Sequence, residues 1–400
     1  MKLLYIGNIR LPTEKAHGLQ IMQNCEAFAD AGVDVSLWAA RRVNTPALRD
    51  IGDLWGHYGV KRNFTLRRLP CLDLMSLTPN RSDAPAKLVF LLQQWSFTLA
   101  AFIAAIVTRD DIYYSRDESV MLTLSLIKPR RALVYEAHSL ARGRMGRWLQ
   151  RQTVRRAGHV FATTRRLADD LVALGAEAAR VHVAHDGVRA ERFADLPDQA
   201  AARAQIGWPA DAFIVGYVGR LQTMAMDKGV GLLVDALARV DGLALGLVGG
   251  PDEIAEALRA QWLARGLPPE RFLYAGQVAP AQVPVYLSAF DIGAMPFPWI
   301  EHFAYYASPI KLFEYMAARR AVVASDLPST AEVVRDSESA LLYPPGDLDA
   351  LVAALMRLRD DASLRDALAA RAQALVMADY TWAARARHIL SAISGGPDED

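Results

Sequence analysis

The stretch Phe213-Ile214-Val215-Gly216-Tyr217-Val218-Gly219 decides the fold that the sequence predicts. It is a short apolar run ending in glycine, which is typical of a buried strand in a parallel sheet. A loop follows, residues 229–238 have a helical pattern, and residues 243–248 form the next apolar run. Strand, loop, helix and strand in this order predict a βαβ unit of the Rossmann type.

The same pattern opens the chain. Residues 3–7 predict a strand, residues 8–18 a loop, residues 19–31 a helix closed by Gly32, and residues 33–38 a second strand. A single hydrophobic core stops growing at roughly 250–300 residues, and this chain has 400. The sequence therefore predicts an α/β protein with two Rossmann-like domains.

The polar, proline-bearing stretch 189–198 predicts the boundary between these domains. We expect an N-terminal domain over residues 1–195 and a C-terminal domain over residues 196–380. A helix over residues 381–394 follows and could pack back across the junction. Residues 395–400 have the composition of a disordered tail.

Composition excludes several classes of protein. Hydrophobic residues make up 52% of the chain and charged residues 22%, which indicates a folded globular protein. The two cysteines, Cys25 and Cys71, are too few for a disulfide framework or a metal-ligand cluster, and they suit a reducing compartment. The N-terminus enters a strand-like run without the pattern of a signal peptide, so we expect a cytoplasmic protein.

The net charge of +1 is unevenly divided. Residues 1–195 hold 28 Lys and Arg against 19 Asp and Glu, whereas the remainder holds 17 against 25. The basic half suggests an anionic partner, such as a lipid phosphate or the cytoplasmic leaflet of a membrane. A solvated basic surface without a partner is an equal alternative. No nucleic-acid-binding motif accompanies the basic residues, which argues against a nucleic-acid partner.

Residues 88–107 are almost wholly apolar and have about the length that a membrane span needs. Gln93 and Gln94 interrupt the run, and their amides are costly in lipid unless they are hydrogen-bonded. The sequence favours a core helix here, and an interfacial helix or a span are the alternatives.

The segment Ser308-Pro309-Ile310-Lys311-Leu312-Phe313-Glu314 has the pattern of a helix N-terminus, with proline directly after serine. The unpaired N–H groups there can bind an anion such as a diphosphate. Glu314, about one turn later, can accept two hydrogen bonds from paired ribose hydroxyls. The alternative is a capped helix with a surface glutamate.

These residues resemble the donor-site motif of the family 4 glycosyltransferases, which are retaining enzymes of the GT-B fold with a cleft between two domains. The resemblance extends over about residues 1–390. The family pattern has two glutamates separated by seven residues, and Glu314 matches the second, which implies that it holds the donor ribose. Tyr306 stands at the first position, so Ser308 or nearby backbone amides would contact the donor sugar instead.

Two cations follow the strand at Phe213, in Gly219-Arg220-Leu221 and Asp227-Lys228-Gly229. They lie at the edge of the sheet where such folds bind ligands, and they suit a diphosphate whose charge grows as the glycosidic bond breaks. The resemblance implies that Arg220 and Lys228 grip this leaving group. A solvated charged loop is the alternative.

The resemblance assigns further residues. It places His138, just after a strand, against the donor sugar, with Glu136 either sharing the site or ending the strand. In Lys15-Ala16-His17-Gly18, Gly18 would let the backbone approach the diphosphate, and His17 is an acceptor-side candidate or a loop-packing residue. Gly250 and Val278 would frame the nucleotide base, and Gly219, Pro309, Ile310 and Lys311 would complete the donor site.

The resemblance implies an acceptor in the first domain, a donor in the second and transfer with retention, the acceptor proton passing to a phosphate oxygen. We expect a UDP-sugar, with a GDP-sugar as the alternative, no cofactor and no metal. Asp347 and Asp349 have the spacing of metal-binding aspartates, but helix capping explains them better. An acceptor in envelope glycan, polysaccharide or glycolipid synthesis fits the basic domain.

Two other functions share this architecture. One is a GT-B nucleotide-sugar epimerase, which lacks an acceptor. The other is a non-catalytic nucleotide-sugar-binding subunit of a polysaccharide assembly complex, to which the tyrosine at position 306 points. An NAD-dependent oxidoreductase is disfavoured because its glycine-rich fingerprint with a trailing acid is missing.

Overall fold

The computed structural model describes residues 1–13, 16–75, 83–223 and 225–395. The chain divides into two compact units. One contains Met1–His185 and the chain from Trp382 onward, and the other contains Asp186–Thr381. Each unit has a parallel sheet with alternating helices, so the prediction of two Rossmann-like α/β domains is confirmed.

Seven parallel strands build the sheet of the first unit: β1 (Lys2–Gly7), β2 (Asp34–Ala40), β3 (Thr65–Leu69), β4 (Ile112–Ser115), β5 (Leu133–Ala137), β6 (His159–Ala162) and β7 (Val181–Val183). Their order across the sheet is β3-β2-β1-β4-β5-β6-β7. In β1, Leu3 lies opposite Val35 on one side and Ile112 on the other. The order reverses between β1 and β4, and ligands of such sheets bind outside the carboxyl ends of the strands at this point.

Eight α-helices belong to the described part of this unit: α1 (Ala16–Asp30), α2 (Pro46–Arg49), α3 (Leu54–Tyr58), α4 (Ala84–Ile106), α5 (Glu118–Leu124), α6 (Gly143–Arg156), α7 (Arg165–Leu174) and, at the far end of the chain, α16 (Trp382–Ser394). Helix α16 packs against α1. Its buried residues Trp382, Ala386 and Ile389 recur with the spacing of one helical face and join the core that contains Phe28.

The second unit has six parallel strands: β8 (Phe213–Val218), β11 (Leu243–Val248), β12 (Phe272–Gly276), β13 (Ile292–Met295), β14 (Ala321–Ser325) and β15 (Leu341–Tyr343). A small antiparallel pair, β9 (Gln222–Thr223) and β10 (Met226–Asp227), lies in the loop after β8. The order of the sheet is β12-β11-β8-β13-β14-β15. The reversal here falls between β8 and β13, so the loops after these two strands are placed to meet a ligand.

The helices of the second unit are α8 (Gln199–Ile206), α9 (Val230–Leu237), α10 (Asp252–Ala264), α11 (Val283–Ala289), α12 (Ile310–Ala317), α13 (Pro328–Ala331), α14 (Leu348–Asp360) and α15 (Ala362–Asp379). A π-helical turn, His302–Tyr306, precedes α12. Asp347 caps α14 by accepting a 2.9 Å hydrogen bond from the Ala350 amide, as the capping interpretation of the two aspartates predicted.

The second unit begins at Asp186, earlier than the boundary at 195–196 that the sequence suggested. Val188 and Phe193 are buried in the core of the second unit, and the Val188 amide donates a 2.9 Å hydrogen bond to the Tyr380 carbonyl. The prediction placed the boundary too late because most residues of this stretch are polar, and the two buried apolar residues among them give no local signal. Of the predicted tail, Gly395 is described and residues 396–400 lie outside the described residues.

The apolar segment 88–107 forms most of α4, but the prediction of a core helix is wrong. Gln93 is fully buried, whereas Leu88, Leu99 and Ile103 are each more than half exposed. Within the described residues, α4 is the one helix long and apolar enough to cross a membrane by length and composition.

Candidate active site

A cavity of about 320 Å³ opens at the carboxyl ends of β1, β4 and β5 in the first unit. This is where the reversal of strand order predicts a ligand. Residues at the ends of the three strands and at the start of α1 line it: Gly7, Asn8, Ile9, His17, Gln20, Ile21, Arg116, Asp117, Glu118, Tyr135, Glu136, His138 and Ser139. His17, Glu136 and His138 are thus brought together, as three of the predicted site residues.

The side chain of Glu136 is completely buried in the wall of this cavity. Its Oε1 atom lies 2.7 Å from Nη2 of Arg116 and 2.9 Å from Nη2 of Arg385. Nε2 of His138 lies 2.5 Å from the same oxygen, and the Tyr114 hydroxyl donates to Oε2. One carboxylate therefore fixes two arginines, a histidine and a tyrosine.

The charges around Glu136 decide its ionisation. Burial by itself would raise the pKa of Glu136, but Arg116, Arg385 and His138 outweigh it and hold the pKa well below its usual range. An ionised carboxylate only accepts hydrogen bonds, so Nε2 of His138 carries the hydrogen between them. In a neutral imidazole, Nδ1 is then the atom that can accept a hydrogen bond.

Arg385 connects α16 to this site. Its side chain is 2% exposed, and Nε donates a 2.9 Å hydrogen bond to the His185 carbonyl. Nη1 donates to Oδ1 of Asn24 in α1, also at 2.9 Å. The sequence offered no signal for Arg385, because its partners lie hundreds of residues away along the chain.

Sequence reasoning also missed Arg116, Asp117 and Glu118, although a local signal existed. Three charged residues directly after β4 lie at the carboxyl edge of a parallel sheet, where polar groups meet ligands. Burial raises the pKa of Glu118, and the Tyr135 hydroxyl donates a 2.7 Å hydrogen bond to its Oε1. With Asp117, Glu118 thus adds to the carboxylate of Glu136 at the cavity.

Amide side chains of α4 hold another wall of the cavity. Nε2 of Gln93 donates to Oδ1 of Asn8 at 2.7 Å, and Nδ2 of Asn8 donates to Oε1 of Gln94 at 2.6 Å. Nε2 of Gln94 donates in turn to the Asp117 carboxylate at 2.8 Å. The side-chain amides of Gln93 and Gln94 therefore have hydrogen-bond partners within the first unit.

Gly18 lies in the first turn of α1, where packing gives it a structural role. A Cβ at Gly18 would lie 2.4 Å from the Thr13 side chain and 2.8 Å from the Tyr58 hydroxyl, so this glycine is needed for packing. The approach of a diphosphate to Gly18 stays a prediction. His17 is exposed at the cavity, and Lys15 lies outside the described residues.

In the second unit, two lysines share an aromatic wall. Nζ of Lys228 lies 4.1 Å from the ring centre of Phe303 and 4.6 Å from that of Phe297. Nζ of Lys311 lies 5.4 Å from the Phe297 ring centre and donates a 2.6 Å hydrogen bond to the Tyr217 hydroxyl. The structure thus brings together a lysine from the loop after β8 and one from α12.

Both lysines are poorly hydrated. Burial lowers the pKa of Lys228 to about 8. Burial and the neighbouring Lys228 lower the pKa of Lys311 well below its usual range, although Glu314 opposes the shift. Because two ammonium groups are held beside each other with little solvent, an anionic ligand here would gain strong electrostatic attraction.

The backbone beside these lysines is tightly packed. Gly249 has a φ of +128°, and a Cβ there would lie 2.1 Å from the Gly219 carbonyl oxygen. The Leu221 amide donates a hydrogen bond to the Gly250 carbonyl at 2.9 Å, and the Gly249 amide donates one to the Gly276 carbonyl at 2.7 Å. The loops after β8, β11 and β12 are therefore one connected platform. Val278, which the sequence predicted to frame the nucleotide base, follows β12 and is partly buried.

Arg220 reaches solvent from this platform. Its side chain is exposed, while its carbonyl oxygen accepts a 2.9 Å hydrogen bond from the Tyr217 hydroxyl. The same hydroxyl accepts from Lys311, so Tyr217 fixes the loop that carries Arg220 relative to α12.

Helix α12 begins at Ile310, where the Ser308-Pro309 pattern placed it, but Ser308 does not cap it. The Ser308 hydroxyl accepts a 3.1 Å hydrogen bond from the Asp186 amide, which lies far away along the chain. The capping part of the prediction is wrong, because a partner that no local pattern reveals occupies this oxygen. The Ile310 amide donates to the Ser308 carbonyl at 3.0 Å, and the positive end of the helix dipole at this start favours an anion.

Glu314 lies one turn into α12 with a partner that the sequence did not suggest. Burial raises the pKa of Glu314, whereas the positive charges of Arg192 and Lys311 lower it. Arg192 also donates a hydrogen bond to the Pro280 carbonyl, in the loop that carries Val278. Arg192 therefore connects the helix of Glu314 with the loop after β12.

No metal centre is evident in the described ranges, where no group of three or more His, Cys, Asp or Glu side chains is arranged to hold an ion.

Two family models match the chain. Residues 17–187 match the model for the glycosyltransferase 4-like domain, and residues 212–361 match the model for glycosyl transferases group 1. The chain belongs to the family 4 glycosyltransferases of the GT-B type.

Characterised relatives of this family 4 chain are similar over part of their length. The D-inositol 3-phosphate glycosyltransferase of Mycobacteroides abscessus is 32% identical over 200 residues, which are 49% of this chain and 43% of the relative. The phosphatidyl-myo-inositol mannosyltransferase of Mycobacterium leprae is 34% identical over 222 residues, 54% of each. The matches thus span about half the length of these relatives.

Solved structures show the same fold along the chain. Anabaena HepE in complex with UDP has a TM-score of 0.71 at 19% identity, covering 99% of this chain and 100% of HepE. Sucrose-phosphate synthase from Thermosynechococcus elongatus has a TM-score of 0.74 at 21% identity, covering 99% of both chains.

Tyr306, which the resemblance puts at the position of the first glutamate, lies in the π-helical turn. This residue ends the π-helical turn His302–Tyr306, and its ring lies 6.5 Å from that of Tyr305 in an edge-on arrangement. Single π-helical turns are frequent at functional sites. Phe303 of the same turn forms the wall behind Lys228, so the turn contributes an aromatic surface to the site.

The first prediction concerns the buried ion pair. Arg385→Gln should destabilise the first unit by about 3–5 kcal/mol, because it removes a cation from a fully buried carboxylate. Chemical denaturation near neutral pH measures this loss. Arg387→Gln, an exposed arginine two residues along α16, is the matched control and should change little.

The pH dependence identifies the cause. Glu136 has a lowered pKa in the folded state, so its stabilising contribution is complete above the ordinary glutamate pKa of about 4.3 and is lost as the pH falls through the folded value. The difference between wild type and Arg385→Gln should shrink on acidification. A difference that stayed constant down to acid pH would contradict the ion-pair explanation.

Proposed function

We propose that the chain is a retaining glycosyltransferase that moves a sugar from a nucleotide diphosphate sugar, with UDP favoured, to an acceptor hydroxyl. The observation that carries the proposal is the cluster in the second unit, where Lys228 and Lys311 share the Phe297 ring, Lys311 lies in the first turn of α12, and Glu314 follows a turn later. Membership of family 4 and the fold shared with UDP-bound HepE support it.

The donor site follows from this cluster. Lys228, Lys311, Arg220 and the N–H groups at the start of α12 bind the diphosphate, and the Gly219 backbone allows its close approach. Glu314 accepts hydrogen bonds from the two ribose hydroxyls, which an ionised carboxylate does with both oxygens. Val278, Gly250 and the loop held by Arg192 bind the base through backbone groups.

Negative charge grows on the diphosphate as the glycosidic bond breaks. The lysines and the start of α12 stabilise this charge more strongly in the transition state than in the ground state, which is what accelerates a reaction. The acceptor hydroxyl attacks from the same face of the sugar, and its proton passes to a phosphate oxygen. This assignment needs neither a metal ion nor a covalent nucleophile.

The cavity of the first unit binds the acceptor. His17 and Glu118 present polar groups there, and His138, oriented by Glu136, accepts a hydrogen bond through Nδ1. The positive charge of residues 1–195 favours an acceptor with a phosphate or a lipid anchor, as in envelope glycan, polysaccharide or glycolipid synthesis, at the inner face of a membrane.

A second candidate function is a nucleotide-sugar-binding subunit without transfer activity, which Tyr306 favours. Tight donor binding without product from any acceptor would support this function, whereas release of free nucleoside diphosphate together with glycosylated product would exclude it. A GT-B epimerase would convert the donor sugar in the absence of any acceptor.

The deciding experiment measures nucleotide binding by thermal shift and calorimetry, without added metal, for UDP, GDP, dTDP and NAD. We expect selective stabilisation by one nucleoside diphosphate and its loss in Glu314→Ala. Glu270→Ala, an exposed glutamate of the same unit, is the control and should bind as wild type does. A response to NAD alone, or to none of the four, would refute the donor site.

Lys228→Ala should lower turnover by about 10²–10³, the usual effect of removing one preorganised donor that stabilises transition-state charge. Steady-state kinetics with the selected donor measure it. Arg239→Ala removes an exposed cation of the same unit that pairs with Asp349, and it should retain full activity. Equal activity of both variants would remove Lys228 from the mechanism.

Affinity for the nucleoside diphosphate should fall as the pH rises above about 8, the pKa of Lys228 in the free protein. A bound anion favours the charged lysine, so above this pH binding must take up a proton and weakens by up to about tenfold per pH unit. Calorimetric titrations on both sides of this pH measure the slope. In Lys228→Arg, whose side chain stays charged, that part of the slope should disappear.

A further inference from the structure

The outer face of α4 is unusually apolar for a surface helix, although the inner face also buries apolar side chains such as Phe97 and Ala101. Its outer face carries a stripe of large apolar side chains, each between 43% and 59% exposed: Leu88, Leu92, Trp95, Leu99, Ile103 and Ile106. Steps of three and four residues keep the stripe on one side along the whole helix. A helix of 23 residues is about 35 Å long, so this surface is extensive.

The inner face of α4 fixes this orientation. Gln93 and Gln94 are hydrogen-bonded to Asn8 and Asp117, and the Thr98 hydroxyl lies 2.8 Å from that of Ser119. Turning the stripe inward would break these buried bonds and would place Leu and Ile side chains where Gln93 and Thr98 now fit. The apolar stripe is therefore a permanent surface of the folded unit, and exposed patches of this size mark binding sites.

Positive charge lies beside the stripe. Helix α4 packs against α5, and α5 packs against α6, so the three form one layer. Helix α6 contains no acidic residue and exposes Arg144, Arg147 and Arg151 together with Met145 and Trp148. Leucine, tryptophan and arginine side chains on one surface are typical of helices that lie in the interface of an anionic bilayer.

We infer that the outer face of α4 lies in the headgroup and acyl boundary of an anionic membrane, with the arginines of α6 on the lipid headgroups. A second copy of the chain is a poorer occupant, because a symmetric contact through this layer would bring two arginine-rich helices together. The buried hydrogen bonds of Gln93 and Gln94 hold α4 to its unit, so the helix rests in the interface and does not cross it.

The position of α4 connects this surface to the acceptor cavity. Asn8 and Asp117 line the cavity and are the hydrogen-bond partners of Gln93 and Gln94. An acceptor whose lipid chain stays in the bilayer would need to extend its polar head only past this helix. This part of the inference rests on the proposed function, whereas membrane binding itself does not.

The test is vesicle flotation of the full chain at physiological salt, using phosphatidylcholine vesicles with and without phosphatidylglycerol. We expect binding only to the anionic vesicles. Leu99→Glu/Ile103→Glu should weaken it at least about tenfold by removing inserted apolar surface, and each of Arg144→Gln, Arg147→Gln and Arg151→Gln about fivefold. Leu263→Glu, an exposed leucine on α10, is the control and should bind as wild type does.

Four results would overturn the inference. The first is that wild type binds neither vesicle, and the second is that the double glutamate variant binds as wild type does. The third is a wild-type dimer that does not float and that the double variant dissociates, which would assign the face to a second copy. The fourth is retention of the chain in vesicles after alkaline carbonate, which would indicate a span. Calorimetry with UDP distinguishes a failure of this inference from a failure of the proposed donor site. The α4 variants should bind UDP as wild type does, whether or not they bind vesicles.

Discussion

The buried carboxylate of Glu136 is the charge on which the first unit depends. Its oxygens hold Arg116 after β4, His138 after β5 and Arg385 from the last helix, so one ion-pair network joins α16 to the ends of β4 and β5 at the cavity wall. An ionised carboxylate this deeply buried is tolerated only because several partners compensate its lost hydration. The contact that helps to compensate Glu136 also orients His138. The same carboxylate therefore contributes to the stability of the unit and to the geometry of the site.

The second unit has a different distribution of buried charge. It holds two lysines beside each other against Phe297 and Phe303, with no comparable carboxylate at hydrogen-bond distance among the contacts described. Burial lowers the pKa values of both, so the site has a free-energy cost that an anionic ligand would relieve. The close approach of Gly249 to the Gly219 carbonyl fixes the loop beside them. The charges of the Glu136 network thus compensate one another, whereas the two lysines of the second unit lack such compensation among the contacts described.

Helix α4 shows how polarity and exposure can be separated. Its two glutamines lie on the inner face beside the buried Phe97 and its leucines face outward, because the neighbouring groups at the cavity, Asn8 and Asp117, are polar. A hydrophobicity profile measures only how apolar the segment is. It contains no information about which side meets the protein, and for that reason the same residues fitted a core helix, an interfacial helix and a span.

The sequence alone determined the fold class and indicated most residues of the proposed donor site. Alternating apolar runs and helical patterns are local signals, and so are the start of α12 at Ile310 and the lysine after β8. It also indicated Glu136 and His138, which stand two residues apart at the end of one strand. Tertiary structure decided the rest. Arg385, Arg192 and the Asp186 amide that binds Ser308 are all distant in sequence from their partners, and no local pattern encodes such contacts. Gly18 illustrates the same limit, since a Cβ there would meet not only the nearby Thr13 but also the Tyr58 hydroxyl from another helix. Periodicity and propensity act over a few residues, whereas a buried charge finds its partners only when the whole chain has folded around it.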